Sequence, residues 1–192
     1  MDAAAWDERY RAKGRLWSAT PNMFVADRLA SLPPRSGLDV AAGDGRNAIW
    51  LVERGWTVTA VDFSEAAVEQ GKALSDRVNF VVGDVRTWST DEKFDLVLIS
   101  YLHLLPQEMR SVVAAANSWL SPDGELFMIG HDKSNIEHGT GGPQNLEILW
   151  DVKEVTSWID HLTLIEAQVV RRPVDTEDGQ VYARDTLVRA RA

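Results

Sequence analysis

Cysteine is absent from the 192 residues, which excludes disulfides, thiolate-held metals and a cysteine nucleophile. Long apolar runs are missing as well. No stretch approaches the roughly 20 residues that cross a bilayer, so no membrane association is expected. The opening Met-Asp-Ala-Ala-Ala-Trp-Asp-Glu-Arg-Tyr is acidic where a secretory signal is basic, and a cytoplasmic chain is expected. Positive charge is scarce too, with 20 Lys and Arg against 29 Asp and Glu and a formal net charge of −9. No basic run precedes the scattered arginines near the end, so neither nucleic acid nor an anionic membrane is an expected partner. A small molecule is. Internal repeats, low-complexity segments and linkers are also lacking.

What remains fits one domain over residues 1–192 that can bury a substantial core. Apolar runs at residues 37–41, 57–61, 78–82 and 94–100 read as strands, and helical patterns alternate with them. That alternation predicts a doubly wound α/β sheet covered on both faces, in the Rossmann manner. Gly55 is placed to close the helix that starts at Arg46, Ser64 to cap the next, and Pro106 to start a third. Ser121-Pro-Asp-Gly124 predicts a turn into a fifth strand at 125–130. From His131 to Trp150 the periodicity is lost among Gly139, Gly141, Gly142 and Pro143, which marks a functional loop. Asp151-Val-Lys-Glu154 predicts a capping box. Strands at about 163–172 and 181–190 flank Asp175-Thr-Glu-Asp-Gly179 as a hairpin, giving seven strands with an antiparallel last one.

The stretch Leu38-Asp-Val-Ala-Ala-Gly-Asp-Gly-Arg-Asn-Ala-Ile-Trp50 carries the chemistry. Gly43, Gly45 and Ala48 satisfy the loose pattern G-x-G-x-x-G/A, where glycines let a backbone approach a nucleotide-like ligand. A nicotinamide domain starts nearer its N-terminus and keeps its first strand apolar, whereas this strand carries Asp39. A carboxylate there suits a ligand that presents a cation. S-adenosyl-L-methionine, with its ammonium, is such a ligand. Asp62, at the end of the second strand, suits ribose hydroxyls of either cofactor. Asp84, after the third, is a further acidic position.

In this order and spacing, Leu38-Asp-Val-Ala-Ala-Gly-Asp-Gly, Val61-Asp-Phe-Ser64, Gly83-Asp-Val85 and Phe94-Asp-Leu-Val-Leu98 resemble the class I S-adenosylmethionine-dependent methyltransferases. Gly43-Asp-Gly-Arg-Asn47 and Trp6-x-x-x-Tyr10 with Trp17 look like the tellurite-resistance and thiopurine methyltransferase group. The resemblance implies methyl transfer to a small acceptor, with S-adenosyl-L-homocysteine as product. It implies a cofactor site of Trp6, Tyr10, Trp17, Asp39, Ala41, Gly43, Gly45, Asn47, Asp62, Phe63, Ser64, Asp84, Val85, Ser100 and Tyr101. Residues 1–36 would form a helical cap or lid, and 131–150 a substrate-side loop. Ala41 departs from the family pattern, in which a glycine is frequent.

Each candidate has a plainer reading. Asp39 and Asp62 can be strand-end caps, Asp84 an ordinary turn residue, Asn47 a helix cap, and Trp6 and Tyr10 packing aromatics. Trp50, Trp119 and Trp158 read as core. His103 and Tyr101 are the candidate catalytic groups, with His131 as another titratable neighbour, although the neutral thioether leaving group needs no acid. His138, Gln144 and Trp150 are candidate walls of the acceptor site. No metal site is expected, because two histidines seven apart without a placed carboxylate form a poor ligand set. The competing readings are a non-catalytic module that binds the cofactor or its product, and a nicotinamide-dependent oxidoreductase.

Overall fold

The computed structural model describes residues 3–13, 16 and 18–192, so Trp17 lies outside the described residues. The amino-terminal unit, through Leu98, begins with helices α1 (Ala3–Lys13) and α2 (Met23–Leu29). Strand β1 (Ser36–Val40), helix α3 (Arg46–Glu53), strand β2 (Thr57–Asp62), helix α4 (Glu65–Leu74) and strand β3 (Asn79–Val82) follow. Strand β4 (Phe94–Ser100) closes this half. Pairing is parallel from β1 to β2 and from β2 to β3, and the register sets Asp39 beside Ala60 and Val40 beside Val61. Leu38, Val40, Leu96, Val97 and Leu98 are buried, as continuous apolar runs between two helix layers must be. The helix ends follow the expected chemistry. Ser64 Oγ accepts from the Ala67 amide at 3.1 Å, and Gly55 takes φ 90° where α3 stops.

The unit from Ile99 onward contains α5 (Pro106–Ser118), β5 (Leu120–His131), α6 (Asn135–His138) and a 3-10 turn (Leu146–Ile148). After these come α7 (Val152–Ser157), β6 (Thr163–Thr176) and β7 (Gly179–Arg191). Strand β7 runs antiparallel to both β5 and β6, with His131 opposite Asp185. The seven strands stand in the order β3-β2-β1-β4-β5-β7-β6, a mostly parallel Rossmann-like sheet with its antiparallel strands at one side. Among the described residues, no helix is long and apolar enough to cross a membrane.

The differences from the sequence reading have local causes. The fifth strand starts at Leu120, because the chain stays extended through Ser121-Pro-Asp-Gly124 with only Asp123 left-handed at φ 63°. The hairpin is longer, since pairing continues to Thr176 opposite Gly179 and leaves only Glu177-Asp178 at the tip. The irregular loop holds one short helix and one 3-10 turn, and Asp132 bridges Trp150 across its base. At Asp151 half of the capping box forms. Its carboxylate accepts from the Lys153 and Glu154 amides at 3.0 and 3.1 Å, but the Glu154 side chain pairs with Lys133 at 2.7 Å instead.

Candidate functional site

The glycine turn of the first unit is built around two buried aspartates. Gly43 and Gly45 adopt φ 61° and 75°, conformations that side chains disfavour, and a Cβ on Gly45 would stand 2.5 Å from the Phe80 ring. Ala41 is also left-handed at φ 56°, so the departure from the frequent glycine leaves the turn geometry in place at a cost in strain. Asp62 holds this turn from below. One of its oxygens accepts from the Gly43 amide at 2.8 Å and the other from the Ser64 amide at 2.9 Å. Burial raises its pKa, and these two amides oppose the rise.

Asp39 has no such support. It is 1% exposed, and neither carboxylate oxygen has a hydrogen-bond partner of ordinary geometry. Burial pushes its pKa up to about 7, with the Ala48 amide and the Arg46 charge offsetting part of the penalty. An unpartnered carboxylate this deep is costly unless a cation or donor meets it.

Around this pair the remaining candidates divide. Ser64 donates to Asp7 of α1 at 2.6 Å, and Asp7 also accepts from the Ala66 amide at 3.1 Å, so α1 is fastened to the start of α4. That hydroxyl bond is the main reason the Asp7 pKa lies low. Tyr10 is buried against Ala66 and Ala67, with Trp6 and Leu16 packed on the same cluster. The Trp6 and Tyr10 rings lie 6.2 Å apart, and the Arg9 guanidinium covers the Trp6 ring at 5.2 Å. Asn47 does not cap its own helix. Its oxygen accepts from the Asn22 amide at 2.9 Å, while Asn22 caps α2. Asp84 behaves as a turn residue, gripped by Arg86 Nε at 2.9 and 3.1 Å and Nη2 at 2.6 Å, which keeps its pKa low. Val85 is buried and Phe63 partly so.

The second unit holds a different cluster, in which Ser100 ends β4 partly buried and Tyr101 follows at φ 56°. The Tyr101 hydroxyl donates to Asp185 at 2.8 Å, and Arg172 Nε reaches the same carboxylate oxygen at 2.8 Å and the Tyr101 oxygen at 3.0 Å. Burial first, then the Asp185 charge, hold the phenol well above its ordinary range. His131 Nδ1 stands 3.1 Å from the other Asp185 oxygen. Burial would raise the Asp185 pKa, but His131 and Arg172 outweigh it and the net direction is down. His103 stacks on His131 with centroids 5.4 Å apart, and its Nδ1 meets the Ile148 carbonyl at 3.1 Å. Burial, then the His131 ring, push His103 down to about 4. Trp150 closes edge-on at 6.1 Å from His103.

Residues 38–124 match the family model described as a methyltransferase domain. That match covers less than half of the chain, and over it the chain is similar to methyltransferases. A curated relative, the protein arginine N-methyltransferase PRMT10 of Oryza sativa subsp. japonica, is 31% identical over 99 residues, covering 47% of this chain and 26% of its own. This chain thus spans about a quarter of that relative's length. The fold is shared with TehB from Haemophilus influenzae, at TM-score 0.75 and 15% identity over 96% of this chain and 66% of that one. It is shared too with the Burkholderia thailandensis 1,6-didemethyltoxoflavin-N1-methyltransferase, solved with 1,6-didemethyltoxoflavin and S-adenosylhomocysteine. That likeness has TM-score 0.71 and 22% identity over 98% and 86% of the two chains.

The sequence reading gave Asp39, Ala41, Gly43, Gly45, Asp62, Phe63 and Ser64 as cofactor residues; in the structure Asp62 ties the glycine turn to the start of α4 through the Gly43 and Ser64 amides. Asn47 and Asp84, given as cofactor residues too, bond to the Asn22 amide and to Arg86. Two charged residues of the imidazole cluster escaped the sequence reading, Arg172 and Asp185. The available signal was the period of two along β7, where buried Ala183 and Leu187 share a face with Asp185. His138 is exposed, with its ring nearest Glu137, and Gln144 is exposed as well, so neither joins the cluster that Trp150 does.

Proposed function

We propose that this protein transfers the methyl group of S-adenosyl-L-methionine to a small-molecule acceptor by in-line displacement. The observation that carries the reading is Asp39, a buried carboxylate with both oxygens unpartnered on the strand leading into the glycine turn. An α-ammonium would supply its missing cation. Gly43 and Gly45 let the backbone approach the ligand, and Asp62 retains lone pairs for ribose hydroxyls while holding the turn. The cofactor supplies an electrophilic methyl on a sulfur that departs neutral. Holding nucleophile, carbon and sulfur in line is able to supply roughly 7–11 kcal/mol of the barrier.

The small acceptor is supported by the formal net charge of −9, which disfavours a polyanionic partner, and by the didemethyltoxoflavin enzyme that shares the fold. Helix α1, bound to Ser64 through Asp7, is proposed to cover the cofactor, and the loop 131–150 to face the acceptor. Titration calorimetry with S-adenosyl-L-methionine, S-adenosyl-L-homocysteine and NADH tests the reading. Binding of the first two alone is expected. Binding of NADH alone returns the oxidoreductase, and cofactor binding without turnover across an acceptor panel leaves a binding module.

A further inference from the structure

The buried cluster of the second unit contains more chemistry than transfer to a pre-ionised acceptor requires. We propose that His131, oriented by Asp185, is the general base of the transfer, so that the acceptor presents an ionisable O–H, N–H or S–H. This rests on the methyl-transfer reading above.

The tautomers follow from the partners. His131 Nδ1 is buried 3.1 Å from Asp185 Oδ1, at ion-pair distance although neither atom makes a hydrogen bond of ordinary geometry; a carboxylate only accepts, so this contact favours the ring proton on Nδ1 and leaves the lone pair on Nε2. Asp185 is locked by its second oxygen, which takes the Tyr101 hydroxyl and Arg172 Nε, each at 2.8 Å. The groups around the His131 ring are Asp185 of β7, with Arg172 of β6 behind it, Tyr101 and His103 after β4, and the Gly142 backbone. A Cβ on Gly142, at φ 76°, would lie 2.7 Å from the ring, so the loop reaches this close only as glycine.

The other two candidates have different work. The Tyr101 proton is committed to Asp185, which makes Tyr101 a positioning residue. His103 meets a carbonyl at Nδ1, so Nδ1 is its N–H and the lone pair sits on Nε2, which is buried without a partner. The indole N–H of Trp150 is buried without one too. An open acceptor and an open donor beside His131 match a ligand that brings an O–H or N–H and a lone pair. In the step itself, the acceptor X–H yields its proton to His131 Nε2 as the X electron pair bonds to the methyl carbon. The carbon–sulfur pair leaves on sulfur as neutral S-adenosyl-L-homocysteine. Asp185 stays ionised opposite the imidazolium, whose proton passes to water, the His131 side chain being 12% exposed.

Carbethoxylation of the whole protein by diethyl pyrocarbonate, which attacks unprotonated imidazole nitrogen, tests the assignment by peptide mass spectrometry. His138 and His161, 59% and 57% exposed, serve as internal references. His131 is expected to react at least about tenfold faster than His103, and Asp185→Asn to slow His131 about threefold or more with the references unchanged. Should Asp185→Asn not fold, Tyr101→Phe, which frees one bond of Asp185, is expected to act in the same direction. His103 reacting ahead of His131 overturns the proposal, as does an unchanged His131 rate in the folded variant. In turnover, His131→Gln is expected to slow methylation of 4-nitrophenol or benzenethiol by about 10²–10⁴ while leaving iodide, which carries no proton, within about twofold. Raising the pH past the ionisation of the phenol closes that gap, and an equal loss on iodide overturns the base. Correct labelling without cofactor binding sinks the methyl-transfer reading alone; cofactor binding with wrong labelling sinks the dyad alone.

Discussion

Two buried aspartates face opposite electrostatic fates in the two halves of this chain. Asp39 and Asp185 are 1% and 0% exposed, yet burial raises the first pKa to about 7 while the second is held low. The difference is partners. Asp185 receives Tyr101 and Arg172 and stands 3.1 Å from His131, whereas Asp39 receives no hydrogen bond of ordinary geometry. A carboxylate already neutralised by its own chain organises other groups. One left without a cation is poised for a ligand that brings one.

The largest effect should come from removing the organised charge. Asp185→Ala leaves Arg172 half-buried without its carboxylate and frees Tyr101 and His131, so a loss of about 3–5 kcal/mol is expected in denaturant unfolding. A loss below about 1 kcal/mol would put Asp185 on the same footing as an exposed ion pair and end the contrast.

The opposite sign is expected at Asp39. Its folded pKa is raised, so between about 4 and 7 the folded state holds a proton that the unfolded state has released, and stability falls as pH rises through that window. Asp39→Asn mimics the neutral acid. It should match the parent near pH 4 and exceed it above pH 7 by up to roughly 4 kcal/mol, about three pKa units at 1.36 kcal/mol each. Parallel urea titrations at pH 4.5 and 8 check this, and a destabilised variant at pH 8 would show that Asp39 already has a partner.

How each half could be read from sequence follows from the same contrast. The glycine turn, Asp39, Asp62 and Ser64 lie within 26 consecutive residues, and short-range rules of strand end, left-handed turn and helix cap locate them. The imidazole cluster is assembled by strand pairing. His131 meets Asp185 only because β5 pairs antiparallel with β7, and Arg172 arrives from β6 opposite Ala183. No local pattern encodes that convergence, so Tyr101, His103 and His131 were visible as candidates while the residues that organise them were not. Asn47 and Asp84 illustrate the converse. Each is named by the local motif, while its bonds, to the Asn22 amide and to Arg86, are visible only in the structure.

If Asp39 awaits a cation, ligand binding must move its proton. Below pH 7, S-adenosyl-L-methionine should bind about tenfold more weakly for each unit of acidification, because the ammonium selects the ionised form. Calorimetry at pH 5.5, 6.5 and 7.5 in two buffers of different ionisation enthalpy should also show proton release on binding. A flat profile would separate Asp39 from the ligand and leave Asp62 and Asp44 as the other buried carboxylates of the turn. Asp62→Asn should cost about 1–3 kcal/mol on its own account, since its one amide oxygen can serve only one of the Gly43 and Ser64 amides and the other is left facing a donor.

The smallest expected effect compares two left-handed residues, one per half. Ala41 and Tyr101 both adopt φ 56°, a conformation costing a side-chain-bearing residue roughly 1–2 kcal/mol. At Ala41 the methyl group carries no hydrogen bond, so Ala41→Gly relieves that strain. The added freedom of glycine in the unfolded chain returns about 0.4–1 kcal/mol of it. A net gain of about 0.5–1 kcal/mol should remain. At Tyr101 the same relief is overwhelmed, because Tyr101→Gly also removes the hydroxyl that donates to Asp185 and accepts from Arg172. Thermal melts of the two variants should therefore move in opposite directions, upward by a few degrees for Ala41→Gly and downward by more for Tyr101→Gly. Movement in the same direction would show that backbone strain, and not the hydroxyl network, governs the residue after β4.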